Sequence, residues 1–197
     1  MGAVLRMADY TQPFTPPTLV LVDLHLAFPR LGEEEPDREE LRHVLESCRR
    51  LLAHARDKDM PVAFVRRMPP LPSFLATHVY PPWIRGIEPR RSDMIFERDM
   101  PSCYASLEFA RMAQRSPHLV LAGLFGETAC LSTLIDAHHR NHHITYLADA
   151  SCSRGQGDVS PSEMHRSVTH LAALYGRLAN AEDWMRTVAF RSAIAGA

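Results

Sequence analysis

Hydrophobic residues in this chain fall into short unbroken runs separated by longer amphipathic stretches. Leu19–Val22, Val62–Val65, Met94–Phe96, Leu119–Gly123 and Ile144–Leu147 are such runs, each of strand length. Runs without polar alternation fit strands covered on both faces, as in parallel sheets. Between them the period changes. Leu41, Val44, Leu45, Cys48, Leu51, Leu52 and Ala55 recur at i, i+3, i+4 and i+7 spacing, which predicts a helix with one apolar face. Its acidic lead-in, Glu33 to Glu40, and the later Arg49, Arg50, Arg56 and Lys58 suit the helix dipole. Further helices are predicted through Leu107 and Met112, through Leu131, Leu134 and Ile135, and from about Pro161 to Tyr175, with Pro161 at the helix start. Arg177 to Asn180 reads as a last short strand. The alternation predicts a three-layer α/β/α domain: a mostly parallel six-stranded sheet with helices on both faces.

Right-handed crossovers in such a sheet place the strand ends Asp23, Arg66, Arg98 and the turn at Gly123 on one edge. That edge is the candidate site. It holds a carboxylate on a buried strand end, His25 two residues on, several arginines, and a helix entered through Phe125-Gly126-Glu127-Thr128. Unpaired amides at a helix start can hold a negative oxygen, so the Gly126–Ala129 turn is expected to cradle an oxyanion or carboxylate. Pro69 to Pro89 is a proline-rich loop with Phe74, His78, Tyr80, Trp83 and Arg85, expected to cover the site or to meet another subunit. Residues 1–18 read as an N-terminal arm, 19–188 as one domain and 189–197 as a tail.

Composition narrows the partners. A chain of 197 residues fits one domain, and a formal charge of −1 gives no sign of a nucleic-acid or acidic-membrane partner. The four cysteines form no close pair, which favours reduced thiols in a cytoplasmic protein. No run has the length of a signal-peptide core or a membrane span.

Four segments, in order and spacing, resemble the isochorismatase-like hydrolase superfamily, a Rossmann-like group that also contains nicotinamidases and other cysteine hydrolases. The resemblance runs from Leu19 to Trp184. Leu19-Val-Leu-Val-Asp23-Leu-His25-Leu-Ala-Phe28 is similar to the first-strand motif, with Asp23 at its acidic residue. Met60 to Arg66 is similar to the second strand, and Asp93 to Tyr104 to the segment whose basic residue is usually lysine, here Arg98. Gly123 to Ala137 matches the turn-and-helix motif.

The resemblance places the cysteine nucleophile six residues after the motif glycine. Thr133, Asp136 and Ala137 keep the family offsets without a gap, so the nucleophile position is Ala129. Cys130 follows, turned about 100° away along a helix and expected to face the core. A shifted nucleophile at Cys130 would need a distorted helix start. A small residue followed by cysteine also occurs in isochorismatases, which cleave a vinyl ether without a thiolate.

Arginine at 98 offers a fork for carboxylates but cannot shuttle a proton. It favours ionised Asp23, whereas burial favours the protonated acid, and the sequence leaves that balance open. His25, where the family often has Gln, is either a second proton donor or a hydrogen-bonded polar group. Arg66-Arg67-Met68 lacks the Asp-x-His pair of the metal-bearing nicotinamidases, so neither metal nor cofactor is expected. The pairs His138-His139 and His142-His143 read as a solvated helix end. The resemblance thus implies Asp23, Arg98, His25 and position Ala129 as the catalytic set. Arg66, Phe28, Trp83, Tyr104, Phe125, Gly126, Glu127 and Thr128 would bind substrate. Two functions remain open. One is a cysteine-independent hydrolase of a small anionic metabolite, including vinyl-ether hydrolysis of the isochorismate type. The other is a catalytically silent member with a binding or assembly role. A homodimer or homotetramer is expected in either case.

Overall fold

The structure, a computed structural model, describes residues 16–25, 37–68 and 81–187. Phe28, residues 1–15 of the arm, residues 69–80 of the proline-rich loop and the tail lie outside the described residues. The elements in chain order are β1 (Thr18–Val22), α1 (Asp37–Asp57), β2 (Val62–Arg67), β3 (Met94–Arg98), a 3₁₀ turn (Cys103–Ala105), α2 (Leu107–Arg115), β4 (His118–Gly123), a π turn (Gly126–Cys130), α3 (Leu131–His139), β5 (His143–Ser151), α4 (Pro161–Tyr175) and β6 (Arg177–Ala179). Residues 181–187 form a further helical segment.

The six strands are all parallel, in the order β3-β2-β1-β4-β5-β6. β1 lies between β2 and β4, and every residue of it is buried, which is why its sequence is an unbroken apolar run. The chain leaves β1 toward β2 while β4 lies on the other side, so the crevice between the carboxyl ends of β1 and β4 is the topological switch point. Right-handed crossovers put α1 on one face and α2, α3 and α4 on the other.

Local signals account for the helix limits. α1 begins ahead of its apolar pattern, where Glu39 and Glu40 suit a first turn. Its buried stripe, Val44, Cys48, Leu51, Leu52 and Ala55, is the predicted one. α4 starts at Pro161 behind a capping box in which Ser160 and Glu163 satisfy one another's backbone amides. β5 runs four residues beyond the predicted run, to Ser151, which pairs with Gly123 past a shift in register. The described part of the proline-rich loop is stitched to α1. Arg49 donates to the Arg85 carbonyl, and Arg56 donates to the Glu88 carbonyl and to Asp93. Among the described residues, no helix is long and apolar enough to cross a membrane.

Candidate active site

Asp23 follows β1 directly and takes a left-handed conformation, φ 54°, which Asp tolerates better than most residues. The reversal turns its carboxylate across the sheet edge. Oδ1 accepts the Arg67 amide at 3.0 Å, and Oδ2 accepts Arg98 Nη2 in an ion pair whose two residues are each 2% exposed. A second Arg98 nitrogen, Nη1, donates to the Met100 carbonyl at 2.8 Å. Burial pushes the Asp23 carboxyl above its usual range, against the opposing pull of Arg98 and the Arg67 amide. The conflict between desolvation and the arginine is therefore won by desolvation, the direction a general acid requires.

His25 is also buried, with Nε2 3.8 Å from Asp23 Oδ1. Trp83 crosses the exit of β1. It forms a backbone bridge with His25, and its indole stands edge-on to the His25 and Phe64 rings. Burial first, then Arg66 and Arg98, push the imidazole down to about 4, so it is neutral at pH 7. The unfolded chain then binds more protons between about pH 4 and 6.5, so stability should rise with pH across that window, by at most ~1.4 kcal/mol per pH unit from this group. Denaturation midpoints of the native protein and His25→Gln across the window check this. The variant should lose that part of the slope, and an unchanged slope would rule out the buried neutral imidazole.

The turn after β4 is set by Gly123, at φ 135°, where a Cβ would stand 2.2 Å from the Val22 carbonyl oxygen. Only glycine lets β4 pass β1 this closely. Phe125 then adopts a left-handed conformation, and the helix opens with a wide π turn. The amides of Thr128, Ala129 and Cys130 converge on the Phe125 carbonyl at 3.1, 2.8 and 3.3 Å, and the Gly126 amide donates to the Cys152 carbonyl at 2.8 Å. Three amides of the expected cradle, those of Gly126, Thr128 and Ala129, are thus taken up within the fold. Ala129 is 1% exposed. Cys130 is fully buried, its Sγ lies 3.8 Å from the Leu124 carbonyl, and burial drives its thiol well above the ordinary range. The helix start is distorted, yet the distortion does not bring this thiol to the surface. Thr133 braces the turn by donating to the Ala129 carbonyl and accepting the Cys103 amide.

Asp23, Arg98, His25 and Trp83 are thus brought together, with Arg66 stacked 5.3 Å from the Trp83 ring. Other expected binding residues are placed differently. Tyr104 bonds His142 Nδ1 at 2.7 Å beneath Arg140, at the carboxyl end of α3 and away from the switch point. Arg66 pairs with Glu97 at 2.6 Å, because adjacent parallel strands set these two side chains together. Glu127 is held by the Arg154 amide and Nε, both at 3.2 Å, and the Arg154 guanidinium covers the Phe125 ring at 4.5 Å. Thr128 is exposed, and its carbonyl accepts the Ser132 hydroxyl. Sequence reasoning missed Arg67 and Arg154, whose contacts depend on sheet register and loop path rather than on spacing. Among the described residues, no group of three His, Cys, Asp or Glu side chains could hold a metal ion.

Fold and site together define a three-layer α/β/α domain with a buried acid–arginine pair at its switch point. Residues 17–183 match the isochorismatase domain, and the chain belongs to that family. Among solved structures it is similar to a candidate isochorismatase from Burkholderia xenovorans LB400, at 22% identity, TM-score 0.75, covering 89% of this chain and 88% of that one. It is also similar to an isochorismatase from Pseudomonas putida KT2440, at 19% identity, TM-score 0.70, covering 92% and 99%. A third is a cysteine hydrolase from Pseudomonas syringae pv. phaseolicola 1448A, at 18% identity, TM-score 0.71, covering 90% and 95%. At such identities the likeness speaks for the fold. A search among curated proteins gave no match.

Proposed function

We propose that this chain is a hydrolase that works without a cysteine nucleophile on a small anionic metabolite, by acid catalysis of the isochorismate vinyl-ether type. One observation carries the reading: the Cys130 thiol is sealed in the core, while the Asp23 carboxyl at the sheet edge is biased toward its protonated form by burial. In this reading Ala129 fills the nucleophile position. Protonated Asp23 gives its proton to the methylene carbon of the enol ether, and water adds to the resulting oxocarbenium. The hemiketal collapses to a ketone and an alcohol, returning the proton to Asp23. Arg98 orients Asp23, and neutral His25 packs beside the acid under Trp83.

The test pairs alkylation with an assay. Isochorismate is supplied and released pyruvate measured, with nicotinamide as the amide control. Iodoacetamide should leave turnover intact, Cys130→Ala should spare it, and nicotinamide should not be hydrolysed. Rapid stoichiometric labelling of Cys130 with parallel loss of turnover would put the nucleophile there.

A second reading, a catalytically silent member with a binding or assembly role, is favoured by a specific observation. Both Asp23 oxygens are already bound, by Arg67 and Arg98. Absence of turnover on a panel of enol ethers and amides, with ligand binding retained, would select it.

A further inference from the structure

Four arginines stand at the carboxyl edge of the sheet around the switch point, and three are paired with carboxylates. Arg98 is matched by Asp23, Arg66 by Glu97 and Arg154 by Glu127. The residues first expected to bind an anion, Arg98 and Arg66, are therefore occupied. Arg67, the last residue of β2, is exposed, and among the described residues no carboxylate lies within ion-pair distance of it, Asp99 included.

Its position follows from strand register. Val65 pairs with Phe96 and Arg67 with Arg98, and Phe96 packs against Phe109 of α2 at 5.6 Å. Side chains alternate along a strand, so Arg67 and Arg98 leave the sheet on the face that carries α2, α3 and α4, on strands about 4.8 Å apart. The Arg67 amide meanwhile holds Asp23 Oδ1 at 3.0 Å. One residue thus fixes the acid with its backbone and presents an unmatched guanidinium beside it.

We propose that Arg67 is the anion anchor of this site, taking a carboxylate of the substrate on its guanidinium and setting that group beside Asp23. The proposal rests on the reading of this edge as a site for a small anionic metabolite, and names the residue and group that meet. It also couples binding to chemistry. The Arg67 charge pulls the Asp23 carboxyl toward ionisation. A bound carboxylate offsets that charge and so favours the protonated acid when substrate is present. A planar guanidinium suits a carboxylate through paired N–H donors.

The experiment measures binding of benzoate and of its neutral counterpart benzamide, by calorimetry, to the native protein and to Arg67→Gln, Arg67→Lys and Asp23→Asn. The native protein should prefer benzoate. Arg67→Gln retains the backbone amide to Asp23, so the fold should stand, but benzoate affinity should fall roughly ten- to hundredfold, with benzamide unaffected. Arg67→Lys should keep part of the preference. Asp23→Asn should keep the preference too, so the outcome is independent of whether Asp23 is the catalytic acid. Equal binding of the two probes by the native protein, no benzoate binding at millimolar concentration, or an undiminished preference in Arg67→Gln would each overturn the proposal.

Discussion

Turnover of the Asp23→Asn variant is expected to fall by roughly 10²–10⁴, the usual contribution of a positioned general acid. The amide keeps the shape of the carboxyl and can still accept the Arg67 N–H, but it has no proton to give. Its NH₂ group would also meet Arg98 Nη2 donor to donor, in a pair whose members are each 2% exposed. Stability should therefore fall as well, and activity has to be scored per folded molecule, with the folded fraction taken from circular dichroism at the assay temperature. Near-native turnover in the folded variant would leave Asp23 a structural role only and place the acid elsewhere.

The Arg98→Met variant should show the larger effect on stability, a loss of about 3–5 kcal/mol at neutral pH, because it leaves a buried carboxylate without its counter-charge. The sign with pH follows from the same pair. Asp23 already titrates above the ordinary aspartate value of 3.8, and losing the Arg98 attraction raises it further. Below 3.8 the acid is protonated in both folded and unfolded chains, so the cost should be small there. As pH rises from the folded value of the native pair to the still higher value in the variant, the native chain releases the Asp23 proton while the variant keeps it, and the cost grows to a plateau. Urea denaturation at acid and neutral pH measures this. Adding Asp23→Asn to Arg98→Met should recover part of the neutral-pH loss, since no charge is then left unpaired. A single-variant loss that is small and independent of pH would show that the pair contributes little to the folded state.

Much of the fold was legible because its signals are short-range. The unbroken run of β1, the apolar stripe of α1 and the Pro161 start of α4 are each written within one element, and each element formed over the stretch expected for it. Gly123 was legible as a turn residue from its place at the end of an apolar run, whereas the reason that only glycine fits there, its close approach to Val22, is tertiary. The edge that gathers the site followed from chain order and the handedness of crossovers. The position of Asp23 could thus be read before any contact was known.

What an amino-acid order cannot state is which charges meet and how far they are dried. The Arg98–Asp23 pair joins residues 75 apart, and the Arg67 amide reaches Asp23 across 44. Arg66 was expected to bind an anion, but strand register set it against Glu97. Tyr104 was expected at the site, and the path of its turn along α3 carried its hydroxyl to His142 instead. The amides of the π turn were expected to face a ligand, and the left-handed Phe125 aimed one carbonyl at three of them. Patterning and chain order were enough for the parallel sheet, its carboxyl edge and the place of Asp23 on that edge. Only tertiary structure could decide the protonation bias of Asp23 and the partners of the arginines around it, because pairing and desolvation depend on register and burial between distant segments.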